Sequence, residues 1–254
     1  MLLNEKAGVL VACVVLALGS SVWSRAPQKQ TVNPNDKVAA ENQKVLSKLD
    51  AELPIVESTA PELSDPIERS KRNLKGKRYD SEVQRVAPEL TRTMEVHDWP
   101  SDFSALPVTQ SAAIVIGRIS DARAYLSANK STVYSEFTSK VEAILKDTKN
   151  IITPGQSIVS ERLGGRVRFP SGFISRLHVA GYGMPQVGCR YLLFLEQVDD
   201  GGEFRILTGY ELRDGHVFPL DESPGVLHFE KYQGFDESIF VDTVKAAIAK
   251  ESAK

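Results

Sequence analysis

The residues of this 254-residue chain best suited to nucleophilic or metal chemistry are its four histidines and two cysteines. Their spacing argues against both kinds of chemistry. His97, His178, His216 and His228 include no pair at i,i+4 on a helix or at alternate positions of one strand, the spacings that bring two imidazoles to one ion. No metal site and no cofactor is therefore expected. Cys13 lies in an apolar N-terminal run, and Cys189 enters an apolar strand, where a thiol packs as a small hydrophobe unless a nearby base lowers its pKa. Ser171 sits in Pro170-Ser171-Gly172 without the Gly-x-Ser-x-Gly frame that lifts a nucleophile out of a turn. Gly164-Gly165 and Gly181-Tyr182-Gly183 open no helix after a strand, so they read as turns and not as phosphate cradles. No catalytic residue is assigned. An envelope enzyme built on this chain would assemble its site from separate loops, with His178, His216 and Cys189 as candidates.

Arginines offer a different chemistry. Arg162, Arg166, Arg168, Arg176 and Arg190 fall in neighbouring expected strands, and Arg166 and Arg168 share one strand face. Arg166, Arg168 and Arg176 are the binding candidates, for an acidic protein or an anionic envelope component. Glu161, Glu196, Glu203, Glu211 and Asp214 lie in the same stretch, so a solvated face of mixed charge is the competing reading. A net charge of -2 and a pI near 6.1 lack the overall basic footprint of a nucleic-acid binder, and no nucleic-acid partner is expected.

The elements that must position these residues begin after a change of texture. The composition, 42% hydrophobic and 25% charged, is ordinary for a globular protein. Residues 1–25 contain an uncharged stretch, 7–24, bounded by Lys6 and Arg25. As a helix it would be about 27 Å long, close to the roughly 30 Å hydrocarbon core of a bilayer. Trp23 at its end favours an uncleaved transmembrane anchor, while Ala17 and Gly19 suit a cleaved signal segment. Cys13 is preceded by too few apolar residues for a lipoprotein signal.

Residues 26–107 read as a disordered, low-complexity linker, with one weak helical stripe (Val38, Val45, Leu46, Leu49) that Pro54, Pro61 and Pro66 interrupt. Its basic block, residues 68–79, reads as solvated linker, with attraction to anionic lipid, cell-wall polymer or nucleic acid as the alternative.

Residues 108–222 carry strand patterns. The run 112–119 is β-branched and apolar, as expected for a strand covered on both faces. Between Val133 and Leu145 alternation is nearly strict, with Phe137, Val141, Ala143 and Leu145 on one parity and Tyr134, Glu136 and Lys140 on the water-facing parity. Further strands are expected over 157–162, 166–169, 173–179, 190–195, 203–210, 211–213 and 216–218, joined by turns at Pro170-Ser171-Gly172 and Asp214-Gly215. Residues 223–254 end in a helix expected over 236–250, capped by Asp236, with Phe235 and Phe240 placed as a hydrophobic staple. The fold class is mainly β, a small antiparallel barrel with a C-terminal helix.

The segments 113–119, 134–142 and 187–195, with 164–170 and 207–213, resemble a family of uncharacterised bacterial exported or membrane-anchored proteins. Their domain is similar to the OB-like barrel of netrin-type and tissue-metalloprotease-inhibitor modules. The resemblance spans residues 111–220 and more loosely the last helix, and implies an OB-like barrel. It carries no activity, because the bacterial family has none to transfer. The animal inhibitors chelate zinc through an N-terminal cysteine, for which this domain, placed behind a long linker, has no counterpart.

Together these readings describe a non-catalytic binding or interaction domain tethered to the cytoplasmic membrane and lying outside it. A secreted or periplasmic form after signal cleavage and a structural assembly subunit are the alternatives. If residues 7–24 remain attached, the intact protein stays with membranes after an alkaline wash and keeps its N-terminal peptide. Recovery of a soluble form starting near Ser20 would defeat the anchor and leave export standing.

Overall fold

A computed structural model describes residues 53–81, 91–94, 103–198, 202–222 and 229–253, all within one compact unit, Gln43–Lys254. The expected anchor and the first part of the linker lie outside the described residues. Among the described residues no helix is long and apolar enough to cross a membrane.

The chain is mainly β. Its longest elements are β3 (Ala113–Leu126) and β4 (Val133–Asp147), an antiparallel hairpin. Strand β4 pairs antiparallel with β5 (Ser157–Leu163), β5 pairs parallel with β9 (Phe204–Arg213), β9 pairs antiparallel with β8 (Arg190–Gln197), and β8 returns antiparallel to β3. The pairings thus run in a closed circuit. Strand β10 (His216–Pro219) adds to β9 through the expected Asp214-Gly215 turn, whose residues have φ of 53° and 76°. The expected strands 203–210 and 211–213 are one strand, β9.

Two apolar clusters explain why β3 and β8 are apolar on both parities. Val115, Ile119, Phe137, Val141, Leu193, Leu195 and Phe204 pack together on one side. Ile114, Ile116, Leu192, Phe194, Tyr210 and Val217 pack on the other with Phe240 and Val244 of helix α2 (Glu237–Ser252), which precedes a C-cap at Ala253. Asp236 caps α2, its Oδ1 accepting from the backbone N–H of Ser238 at 2.8 Å. The ring of Tyr232 contacts both Phe235 and Phe240, so the staple closes through a third aromatic residue.

Alternation in β4 holds only as far as Val141. Val141 is the partner of Gly117, but the next pair is Ile116 with Ala143, so Glu142 is an extra residue in the ladder. Beyond it the parity inverts. Ile144 joins the first cluster, while Ala143 and Leu145 turn toward α2.

A second sheet lies outside the circuit, in the order β1 (Ile55–Glu57), β6 (Gly165–Arg168), β7 (Ile174–Val179), β2 (Thr91–Met94). The β6–β7 hairpin is antiparallel about the expected Pro170-Ser171-Gly172 turn, and β1 and β2 flank it in parallel. Val167 and Leu177 on its inner face pack against Ala124 and Val133 of the long hairpin.

The disordered-linker reading of 26–107 fails over 53–81, and again at Thr91–Met94, which is β2, and at 103–107, where Phe103, Ala105 and Leu106 join the α2 cluster. Residues 53–81 supply β1, with Leu53 buried in the first cluster, and helix α1 (Pro66–Lys77). Pro66 is not a breaker here. It occupies the first helical turn behind Asp65, whose Oδ1 accepts from the N–H of Ile67 at 2.8 Å, and Glu68 follows three residues after the cap. An apolar period was the wrong signal to seek, because α1 docks by charge. Arg72 Nη1 donates to Glu136 at 2.6 Å, and Lys75 Nζ lies 2.8 Å from both Glu136 and Glu203. Arg78 pairs with Glu203 and, at 3.2 Å, with Glu161. Tyr79 stacks on Tyr134 with centroids 4.6 Å apart, and Arg72 lies over the ring of Tyr125. Tyr134, assigned to the water-facing parity, is therefore fully buried, and burial pushes its phenol up to about 12. The basic block is consequently a clamp on β4, β5 and the start of β9, not solvated linker.

The clamp has a pH signature. Burial raises the Glu161 carboxyl above 4.5, with Arg78 and Lys75 offsetting only part of that, so its ionisation costs stability as pH rises above 4.5. At Glu203 burial is outweighed by hydrogen bonds from Lys75 and Arg78, which hold the carboxyl below 4.5, so its contribution is present above 4.5 and is lost as pH falls. Glu203→Gln should therefore destabilise the protein more at neutral pH than in acid. Glu161→Gln should compare better with the wild type as pH rises. Urea melts of both variants across this range test the assignment, and parallel pH profiles would refute it.

Candidate functional site

The register of the second sheet brings the three candidate arginines to one face. Arg166 of β6 is the cross-strand partner of Arg176 of β7, and Arg168 pairs with Ile174. Alternation then places Arg166, Arg168, Ile174, Arg176 and His178 opposite the inner residues Val167, Leu177 and Val179. The backbone fixes two of the guanidinium groups. Arg166 Nε donates to the carbonyl of Leu53 at 2.8 Å, and Arg176 Nη1 donates to the carbonyl of Ile174 at 3.1 Å. Arg168 pairs with Glu57 of β1 at 2.9 Å, both side chains being about half exposed. Among the described residues Glu57 is the one carboxylate that the register puts on this face.

Beyond Val179 the chain turns, the N–H of Tyr182 donating to the carbonyl of Val179, and crosses to β8. Between this loop, the end of β9 and residues 219–222 lies a cavity of about 640 Å³, with His178 at its border. Tyr182, Tyr191, Met184 and Leu220 give it apolar and aromatic surface, while Glu211, Arg213 and Glu222 are its charged lining. Its back wall is rigid for a definite reason. Arg162 and Asp221 are both fully buried and pair at 2.8 Å, Arg162 Nη1 also donates to the carbonyl of Gly183 at 2.6 Å, and the N–H of Gly183 donates to Asp221 at 2.9 Å. The Arg162 guanidinium in turn lies 4.5 Å from the centre of the Tyr182 ring. Sequence reading grouped Arg162 with the surface arginines. Its position on the inward parity of β5, with Ile158, makes it a structural bolt instead.

Of the enzyme candidates, His178 and Cys189 border the same cavity. His216 does not belong there. It stands on β10 opposite Arg213 and bridges to Asp236. His97 and His228 lie outside the described residues. Burial and the neighbouring Glu211 push the Cys189 thiol up, which favours its protonated form at neutral pH. Among the described residues no three His, Cys, Asp or Glu side chains gather as a metal site would require. The sheet face thus carries three arginines, and the cavity combines aromatic, apolar and charged lining. The cavity was missed in the sequence, where Gly181-Tyr182-Gly183 was the one local sign of a loop under close constraint.

No protein-family model matches the chain, and no curated protein matches its sequence.

A side-chain carbon added at Gly183 would sit 1.8 Å from the carbonyl oxygen of Leu220. Gly183→Ala should cost about 1–3 kcal/mol, the usual penalty of overpacking a tight site, because the loop must leave the Asp221 carboxylate to accommodate it. A urea midpoint unchanged from wild type would show that the wall yields easily.

Proposed function

We propose that this chain is a non-catalytic binding module, tethered to the membrane by residues 7–24 with its β domain outside the cytoplasm, and that the arginine face of the second sheet is where it binds. The observation that carries this reading is the opposed pair Arg166–Arg176, with Arg168 two residues along the same face. An anionic partner forms charge-assisted hydrogen bonds with such planar, always-charged donors. Support for an OB-like barrel beneath it comes from the closed circuit β3-β4-β5-β9-β8, in which β5–β9 is the parallel pairing. The resemblance to netrin-type modules implies such an arrangement and carries no metalloprotease inhibition. An enzyme reading would draw on His178, His216 and Cys189, of which His216 stands away from the cavity and Cys189 has a raised thiol pKa.

Poly-L-glutamate is a suitable probe. The full chain should bind it with an affinity that falls with added salt, and Arg166→Gln with Arg176→Gln should weaken binding at least about tenfold, since a hydrogen bond to a charged group contributes about 1.5–3 kcal/mol. Circular dichroism of the double variant should match wild type. Undiminished binding by a folded double variant would remove the arginine face as the site.

A further inference from the structure

Helix α1 is amphipathic, but it is docked in the opposite sense to a core helix. Its inner side carries Arg72 and Lys75, which reach Glu136 and Glu203. Its outer side carries Ile67 and Leu74, which at 67% and 63% exposure are the two most exposed large apolar side chains among the described residues. Seven residues apart, the two lie on one side of a helix with 3.6 residues per turn. Leu63, also exposed, lies just ahead of them, and Arg69 Nε donates to its carbonyl at 2.8 Å, tying it to the helix. Cations inside and apolar residues outside reverse the ordinary arrangement, and the reversal is what needs a partner.

The charges around the apolar pair indicate which one. The same period places Ser70, Asn73 and Lys77 with Ile67 and Leu74, and sets Lys71 at the margin. Glu68, the one carboxylate of α1, falls on the other side. Lys71 reaches it along the surface at 3.0 Å, and both side chains stay more than half exposed. Apolar residues framed by lysines, with no acid among them, suit a helix lying in a bilayer interface, where the long lysine stems carry their ammonium groups up to the phosphates.

A bilayer is also within reach. Residues 25–52, 28 in number, join the apolar stretch 7–24 to Leu53. Even fully extended they cannot hold the domain farther from an anchor than about 100 Å. Two apolar side chains bind a bilayer weakly by themselves, but a tether makes the contact intramolecular, at high effective concentration.

We propose that α1 is the face by which the domain lies on the bilayer that anchors it, with Ile67 and Leu74 entering the boundary between headgroups and acyl chains and Lys71 and Lys77 at the level of the lipid phosphates. This rests on residues 7–24 being an anchor, and the experiment separates the two. The full chain carrying Cys13→Ser and Cys189→Ser is given one cysteine, Ser70→Cys on the outer side of α1 or Ser252→Cys at the end of α2, and labelled with nitrobenzoxadiazole. It is reconstituted into vesicles of phosphatidylcholine with phosphatidylglycerol, some of the lipid bearing a nitroxide near the top of its acyl chain.

The label at position 70 should be quenched severalfold more than the label at 252. Ile67→Gln with Leu74→Gln should abolish that difference and leave the circular dichroism unchanged, since both side chains already face outward. Lys77→Glu, at an exposed position, should reduce quenching in these vesicles and have no effect in phosphatidylcholine alone, because anionic lipid attracts a nearby cation. Equal quenching of this variant and wild type in both lipids overturns the lysine contacts. A chain that stays with the vesicles through an alkaline wash but shows no quenching at position 70 overturns the docking of α1 and leaves the anchor intact. Loss of the chain in that wash overturns the anchor itself. A label at 70 that shifts to the blue with protein density, without quenching by lipid, overturns the bilayer as occupant in favour of a second copy of the chain.

Discussion

The parallel seam between β5 and β9 is the constraint on which the rest of the molecule depends. Every other join in the circuit is an antiparallel ladder of at least six residue pairs, whereas this one rests on Ser160 with Phe204 and Glu161 with Arg205. A parallel pair has no hairpin to close it and is slightly weaker per residue than an antiparallel one. The seam is instead bolted from both sides. On the outer side Lys75 and Arg78 of α1 join Glu203, at the start of β9, to Glu136 and Glu161 of β4 and β5. On the inner parity Arg162 reaches Asp221, Gly183 and the carbonyl of Leu207 on β9.

This explains why charges are buried in a chain with ample apolar residues. A buried ion pair contributes little net stability against a hydrophobic replacement, since desolvation offsets its attraction, but loss of one partner leaves an uncompensated charge and is costly. Such pairs specify an arrangement more than they strengthen it. Arg162 has its acceptors on three separate segments beyond β5, so the loop before β8, strand β9 and the segment after β10 must come to the same place. The wall of the cavity is a by-product of that demand. The proposed binding face lies on the β6–β7 hairpin outside the circuit, where neither the inner cluster nor the α2 cluster limits which side chains point outward.

The strands were legible because their apolar residues have two uses. Those of β3 and β8 fill both parities, and alternation in the first part of β4 separates core from exterior. The turn chemistry of Asp214-Gly215 and the cap at Asp236 are local, and both read correctly. Reading failed where one element changes the environment of another. Tyr134 has the parity of an exposed residue, and it is covered by the stacked rings of Tyr79 and Tyr125 and by Arg72. Ala143 and Leu145 have the parity of the inner cluster, and only the extra residue at Glu142 turns them toward α2.

The sequence by itself determined the strands that follow residue 111, the hairpin turns, the capped C-terminal helix and the presence of Arg166 and Arg168 on a common face, because periods of 2 and 3.6 and cap or turn residues are properties of neighbours in the chain. It also held an unread helix signal in Asp65, Pro66 and Glu68. Tertiary structure alone decided that α1 is a clamp, since its partners Glu136, Glu161 and Glu203 lie more than 60 residues away and no hydrophobic period marks such a contact. It likewise decided that Arg176 opposes Arg166, that Arg162 is a bolt and not a surface charge, and that His178 stands between an arginine row and a cavity. Register and the meeting of distant loops are fixed by pairing and close packing across the whole domain, and these leave no periodic trace in the residues that obey them.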